Sequence, residues 1–125
     1  MSHTFTMGRA MALSVLIVDD HPSFRASARV LLEAEGFDVI GEAADGASGI
    51  AEARRLRPDL VLLDVQLPDI DGFDVASRLS NGAGPAIVLV SSRDSSDFGP
   101  LVARSGARGF VPKAELSGAR IHELL

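Results

Sequence analysis

The sequence has no cysteine among its 125 residues, which excludes disulfides, thiol nucleophiles and zinc–thiolate sites. That absence suits a reducing compartment, and a cytoplasmic location is expected. No apolar run approaches the roughly 18 residues of a membrane span, so none is expected. No extended Lys/Arg-rich run occurs and the net charge is −5, so nothing in the sequence argues for nucleic-acid binding by this segment. There is no internal repeat and no low-complexity tract. Residues 1–11 are polar and mixed and lack the apolar core of a secretion signal. They read as a flexible N-terminal extension or a cloning remnant, with one folded domain over 12–125. That length supports a single core, and a composition of 46% apolar and 23% charged residues fits a soluble globular class.

What is present is a set of short aliphatic runs that end in polar residues. Leu60 to Asp64 reads Leu-Val-Leu-Leu-Asp, followed by the turn-rich Val-Gln-Leu-Pro-Asp-Ile-Asp-Gly. An unbroken run of this kind suits a strand buried on both faces of a parallel sheet. Leu13–Val18 and Ala86–Val90 read the same way, with shorter strands at Phe37–Ala43 and Gly109–Val111. Between them the apolar residues recur at helical spacing. Phe24, Ala28, Leu31 and Leu32 form the first such set, with Gly36 suited to the helix end; Ala47, Ile50, Ala53 and Leu56 form the second, stopped by Pro58. Phe73, Val75, Ala76 and Leu79 form the third. In Ser95–Ser105 the Gly99-Pro100 pair shortens or delays any helix. Ser117 caps a short last helix carrying Ile121, Leu124 and Leu125. Strands alternating with helix-length segments imply right-handed crossovers, and so an α/β, three-layer α/β/α sandwich around a parallel sheet.

In such sheets the chemistry gathers at the carboxyl ends of the strands. Asp19 and Asp20 fall there after the first strand, Asp64 after the third, Ser91 after the fourth and Lys113 after the fifth. Three carboxylates converging on one edge repel each other unless a cation joins them or one stays protonated. Oxygen ligands without His or Cys suit a hard divalent ion, with Mg²⁺ the expected cofactor. A lysine and a serine hydroxyl on the same edge could hold an anionic oxygen. No base is poised to activate Ser91, whereas a carboxylate beside a metal can attack a phosphoryl group, which would leave an aspartyl phosphate on Asp64.

Four segments carry a family resemblance: Val-Leu-Ile-Val-Asp-Asp-His-Pro (15–22), Leu-Val-Leu-Leu-Asp-Val-Gln-Leu-Pro-Asp-Ile-Asp-Gly (60–72), Ile-Val-Leu-Val-Ser-Ser (87–92) and Gly-Phe-Val-Pro-Lys (109–113). Together, in order and with family-like spacing, they resemble the receiver domains of bacterial two-component response regulators, most closely the NarL-type subgroup. The resemblance implies a flavodoxin-like five-stranded sheet of order 2-1-3-4-5. It implies Asp64 as phosphoacceptor, Asp20 as a direct Mg²⁺ ligand, and Asp19 acting through water or as the acid-pair partner. It also implies a metal ligand in the Gln66 backbone carbonyl, a switching role for Ser91, and Lys113 in contact with the phosphoryl group. Phe110 occupies the aromatic switch position where Tyr is frequent, and lacks its hydroxyl. Ser92 stands where Ala or Gly is usual. The implied partners are a sensor histidine kinase and a second copy of the chain on phosphorylation, with no membrane contact. NarL-type regulators add a C-terminal DNA-binding domain that is missing here, so the chain reads as a cut fragment or a single-domain regulator.

Plainer readings stand beside these. A strand-end Asp commonly caps a turn, a lysine is usually a surface charge, Ser91 could satisfy a backbone group, and Phe110 could be a core aromatic. His21 lacks His or Cys partners and reads as a loop residue. Asp69, Asp71 and Asp74 read as turn and helix-start residues. A Mg²⁺-dependent phosphohydrolase is the enzymatic alternative, but that class usually carries a second Asp two residues after the nucleophile, where Gln66 stands, and there is no inserted cap. A receiver-like interaction module that works without phosphorylation is the other alternative.

Overall fold

Successive side chains of a strand point to opposite faces, so an aliphatic run needs cover on both sides. The computed structural model, which describes residues 12–92 and 98–125, meets that need with helices on each face of one sheet. The strands are β1 (Ser14–Val18), β2 (Asp38–Ala43), β3 (Leu60–Asp64), β4 (Ala86–Ser91) and β5 (Gly109–Pro112). The helices are α1 (Pro22–Ala34), α2 (Gly46–Leu56), α3 (Gly72–Leu79), α4 (Gly99–Ser105) and α5 (Gly118–Leu124). All strand pairs are parallel and the order is β2-β1-β3-β4-β5. The fold is the flavodoxin-like α/β/α sandwich that the four segments implied.

The alternation divides the core in two. Val15 and Ile17, Leu60 and Leu62, and Val88 and Val90 pack with Ala28 and Leu32 of α1 and Ile121 of α5. Leu16 and Val18, Val61 and Leu63, and Ile87 and Leu89 pack with Ile50 and Ala53 of α2 and with Val75, Ala76 and Leu79 of α3. The central strands β1 and β3 are almost wholly buried, which is why they are aliphatic apart from Ser14 at the start of β1 and Asp64 at the end of β3.

Local chemistry sets the element ends. Pro22 opens α1 at a position where its missing N–H costs nothing, and Gly36 follows the helix at φ +95°. Asp45, Asp71 and Ser117 cap α2, α3 and α5 by accepting the N–H groups of Ser48, Phe73 and Arg120. The Gly99-Pro100 pair delays α4 as the sequence implied: the helix starts at Gly99 and runs only seven residues. Residues 1–11 and 93–97, which include the expected N-terminal extension, lie outside the described residues.

Candidate functional site

Register brings the acidic residues together. Val18 pairs with Leu63, so the next residues of β1 and β3, Asp19 and Asp64, are neighbours at the carboxyl edge. Asp19 is fully buried and Asp64 is 2% exposed. Asp64 pairs with Val90 of β4, and Ser91 beyond it is buried beside Pro112 of β5. Lys113, the only lysine in the chain, begins a short 3₁₀ turn after β5. Its alternation parity follows Val111, so it joins the side of the sheet that Asp19 and Asp64 share.

Its Nζ lies 2.7 Å from Asp19 Oδ2 and 3.3 Å from Asp64 Oδ2. The ring of Phe24 in α1 sits 4.5 Å from the ammonium and adds a cation–π contact. Asp19 Oδ1 accepts the His21 N–H at 2.8 Å, and Asp64 Oδ1 accepts the Gln66 N–H at 3.0 Å. The His21 Nδ1 lies among the carboxylates, 2.8 Å from Asp19, 3.2 Å from Asp20 and 3.8 Å from Asp64. Ligand atoms of Asp19, Asp20, His21 and Asp64 thus fall within 4.8 Å of one another.

Burial pushes the Asp19 carboxyl up, but the Lys113 ammonium and the His21 backbone and ring outweigh it and hold Asp19 below the usual carboxylate range. Burial pushes Asp64 up as well; the Gln66 N–H opposes this, the Asp19 charge adds to it, and the net shift is upward. The pair therefore divides into one firmly ionised carboxylate and one that holds its proton more readily. Asp19 Oδ2 receives no aligned hydrogen bond although Lys113 Nζ is 2.7 Å away. Lys113 is the cation facing that buried oxygen, and the three carboxylates gathered around it supply hard oxygen ligands. The residues fit a divalent ion such as Mg²⁺ held by Asp19, Asp20 and Asp64.

The loop after β3 is tightly fixed. Asp69 Oδ1 accepts the Gly46 N–H at 2.7 Å, and Oδ2 accepts the Ala47 N–H at 2.9 Å. This loop residue therefore caps the neighbouring helix α2, and those N–H groups hold its carboxyl below the usual range. Gly72 admits no side chain, because a Cβ there would meet the Asp64 carbonyl oxygen and sit 2.6 Å from Val65 Cα. On the opposite flank, Phe73, Phe98 and Phe110 form a row with ring centroids 5.6 and 5.5 Å apart.

A family model described as the response regulator receiver domain matches residues 15–125. The chain belongs to the response regulator receiver domain family. It is 45% identical to BvgA of Bordetella pertussis, named as a transcription regulator of virulence factors, over 89% of this chain and 52% of that protein. Its receiver fold superposes on the signal receiver domain of NarL from Mycobacterium tuberculosis with a TM-score of 0.79 and 31% identity, covering 90% of this chain and 96% of that one. It also matches a chain of a CheX–CheY–BeF₃–Mg²⁺ complex from Borrelia burgdorferi with a TM-score of 0.77 and 25% identity, over 90% and 85% of the two chains. The chain spans about half the length of the curated relatives it matches first.

The receiver domain is thus a signalling module of regulators, and among its described residues no helix is long and apolar enough to cross a membrane. Asp19, Asp20, Asp64, Ser91 and Lys113 all reach the edge that the sequence assigned them. His21 does more than a loop residue: as N-cap of α1 it also brings its ring to the acid cluster. Adjacency to the acid pair was the available signal. Asp69 reaches across 23 residues of sequence, which no local pattern announces.

Proposed function

We propose that this receiver domain accepts a phosphoryl group on Asp64 from the phosphohistidine of a sensor kinase, and thereby switches the surface it offers to a partner or to a second copy. The observation that carries this is the position of Lys113 Nζ between the two most deeply buried acids, Asp19 and Asp64. An Asp64 carboxylate oxygen would attack phosphorus; the P–O bond forms, the P–N bond breaks, and the imidazole nitrogen keeps the electron pair and takes up a proton. Lys113 favours the ionised nucleophile and then an oxygen of the acyl phosphate. Asp19 and Asp20, with Asp64 and the Gln66 backbone carbonyl, would hold Mg²⁺. When bound, Mg²⁺ supplies positive charge to the oxygens of the transferring phosphoryl group.

The new group adds roughly −1.5 to −2 charges at neutral pH and three strong acceptors, which would draw the Ser91 hydroxyl and Lys113 toward it. Phe110, at the end of the phenylalanine row that reaches α3, would follow as a packing switch. The likeness to BvgA, a transcription regulator by name, supports a transcriptional output, and a regulator of that kind would work in the cytoplasm.

The test is incubation with Mg²⁺ and acetyl phosphate. Intact mass should rise by one phosphoryl group, the adduct should be acid-stable relative to phosphohistidine but labile to hydroxylamine, and Asp64→Asn should abolish it. An unchanged mass, or an adduct that survives Asp64→Asn, would refute the assignment.

A further inference from the structure

We propose a second, anion-binding site at the opposite end of the sheet, formed by Arg54, Arg57 and Arg78 and suited to an oligophosphate chain. A cleft of about 660 Å³ opens there between the C-terminal ends of α2 and α3 and the turn before β4, and these three arginines line it. Small-ligand sites commonly occupy roughly 300–1,000 Å³.

The guanidinium groups are unpaired. Arg25 and Arg29 bind Glu42, Arg55 binds Glu52, and Arg120 meets Glu115 and Glu123. Among the described residues, Arg54, Arg57 and Arg78 form no ion pair or side-chain hydrogen bond, in a chain whose net charge is −5. The one acid lining the cleft, Asp59, turns its Oδ2 to the backbone N–H and hydroxyl of Ser14, at 2.8 and 3.0 Å. An acidic protein that leaves three forked cations on one cleft has left them for an anion outside the chain.

The backbone adds a second, independent sign. Arg57 is left-handed at φ 50° and ψ 58°, the only described residue other than glycine with positive φ. Glycine or asparagine takes such a helix-end position at least cost, so retaining arginine keeps its side chain at the cleft against backbone strain. The facing wall is closely fitted, since a Cβ on Gly84 would meet the Leu79 carbonyl oxygen. No aromatic lines the cleft, so nothing there would stack on a nucleobase, and the phosphate chain is the recognised part.

The competing account is that Arg54 and Arg78, in the last turns of their helices, only complement the helix dipoles. It leaves the strained Arg57 unexplained.

The test is amide NMR on the 125-residue protein in metal-free buffer at physiological salt, titrated with inorganic tripolyphosphate. The expected result is saturable shifts at residues 54–57, 78–79 and 83–84, with a Kd below about 1 mM and weaker binding of pyrophosphate and monophosphate. A nucleoside triphosphate should bind equally well; tighter binding would identify a nucleotide as the source of the chain, and equal binding an inorganic or other phosphate ester. Arg57→Gly should weaken binding at least tenfold while thermal stability holds or rises, because glycine relieves the positive φ. Arg78→Gln should weaken it without altering phosphorylation by acetyl phosphate, which separates this site from the acidic one. Linear shifts without saturation, shifts that survive both Arg57→Gly and Arg78→Gln, or equally tight binding of an oligoglutamate peptide would each overturn the proposal, the last in favour of protein docking.

Discussion

Removing the Lys113 charge is the sharpest test of how the acidic edge is held together. Lys113→Met removes the charge that sits over the Phe24 ring and leaves fully buried Asp19 facing nearly buried Asp64 with no lysine between them. Breaking a buried pair by deleting one partner costs roughly 3–5 kcal/mol. The Lys113 side chain is 15% exposed, so water screens part of the interaction and the lower end, about 3 kcal/mol, applies. With an unfolding entropy of about 2.1 cal/mol/K per residue over roughly 110 residues, the melting temperature should fall by about 13 °C in metal-free buffer. Saturating Mg²⁺, at roughly one hundred times its Kd, should return about 2.7 kcal/mol. Loss of the ammonium also raises both carboxyls. A carboxyl whose folded pKa exceeds its unfolded value loses stability as pH rises through that interval, so the deficit should be larger at about pH 8 than at about pH 5. Thermal unfolding followed by circular dichroism, with and without MgCl₂, reads each quantity, and Asp19→Asn added to Lys113→Met should recover more than half of the loss. A fall of less than about 3 °C, or one that Mg²⁺ leaves untouched, would show that the lysine does not neutralise this edge.

Three further outcomes follow from contacts elsewhere. Gly72→Ala drives a Cβ into the backbone of Asp64 and Val65, and should destabilise by at least the roughly 1–3 kcal/mol of overpacking, read by urea unfolding. Glu42 is held below its usual pKa, mainly by Arg29 and further by Arg25. Glu42→Gln should therefore cost about 0.5–1 kcal/mol at neutral pH, with the difference shrinking in high salt and vanishing as pH falls through the depressed pKa of the folded state. Asp69→Ala should speed hydrogen exchange at the Gly46 and Ala47 amides selectively, while exchange in β3 stays slow; uniform exchange rates would disprove the cross-loop cap.

The legibility of this chain follows burial. Leu60–Asp64 was readable to the residue because four aliphatics in succession need cover on both faces and the carboxylate cannot extend the run. The same logic overran at Leu13, whose carbonyl accepts the Asp38 N–H although the residue lies outside the strand. Strand order was not in the periodicity at all, since β1 and β3 look alike to a hydrophobic pattern; it rested on the four family-like segments. Those segments named Asp19, Asp20, Asp64, Ser91 and Lys113 without revealing the contacts among them. In the sequence His21 reads as a loop residue because it lacks a second nitrogen or sulfur ligand, yet two residues of turn suffice to fold its ring onto Asp19. Asp69 was hidden for a different reason: an exposed acid in a turn looks the same whether it meets water or the end of a distant helix.

The span from Asp64 to Gly72 is anchored along its length: at Gln66 to the Asp64 carboxylate, at Asp69 to α2, and at Gly72 by contact too close for a methyl group. A tether so short of slack cannot absorb a disturbance at its first residue. Movement begun at Asp64 would be felt as torque at the roots of two helices, so a chemical event on one oxygen has a mechanical route to surfaces that never meet it.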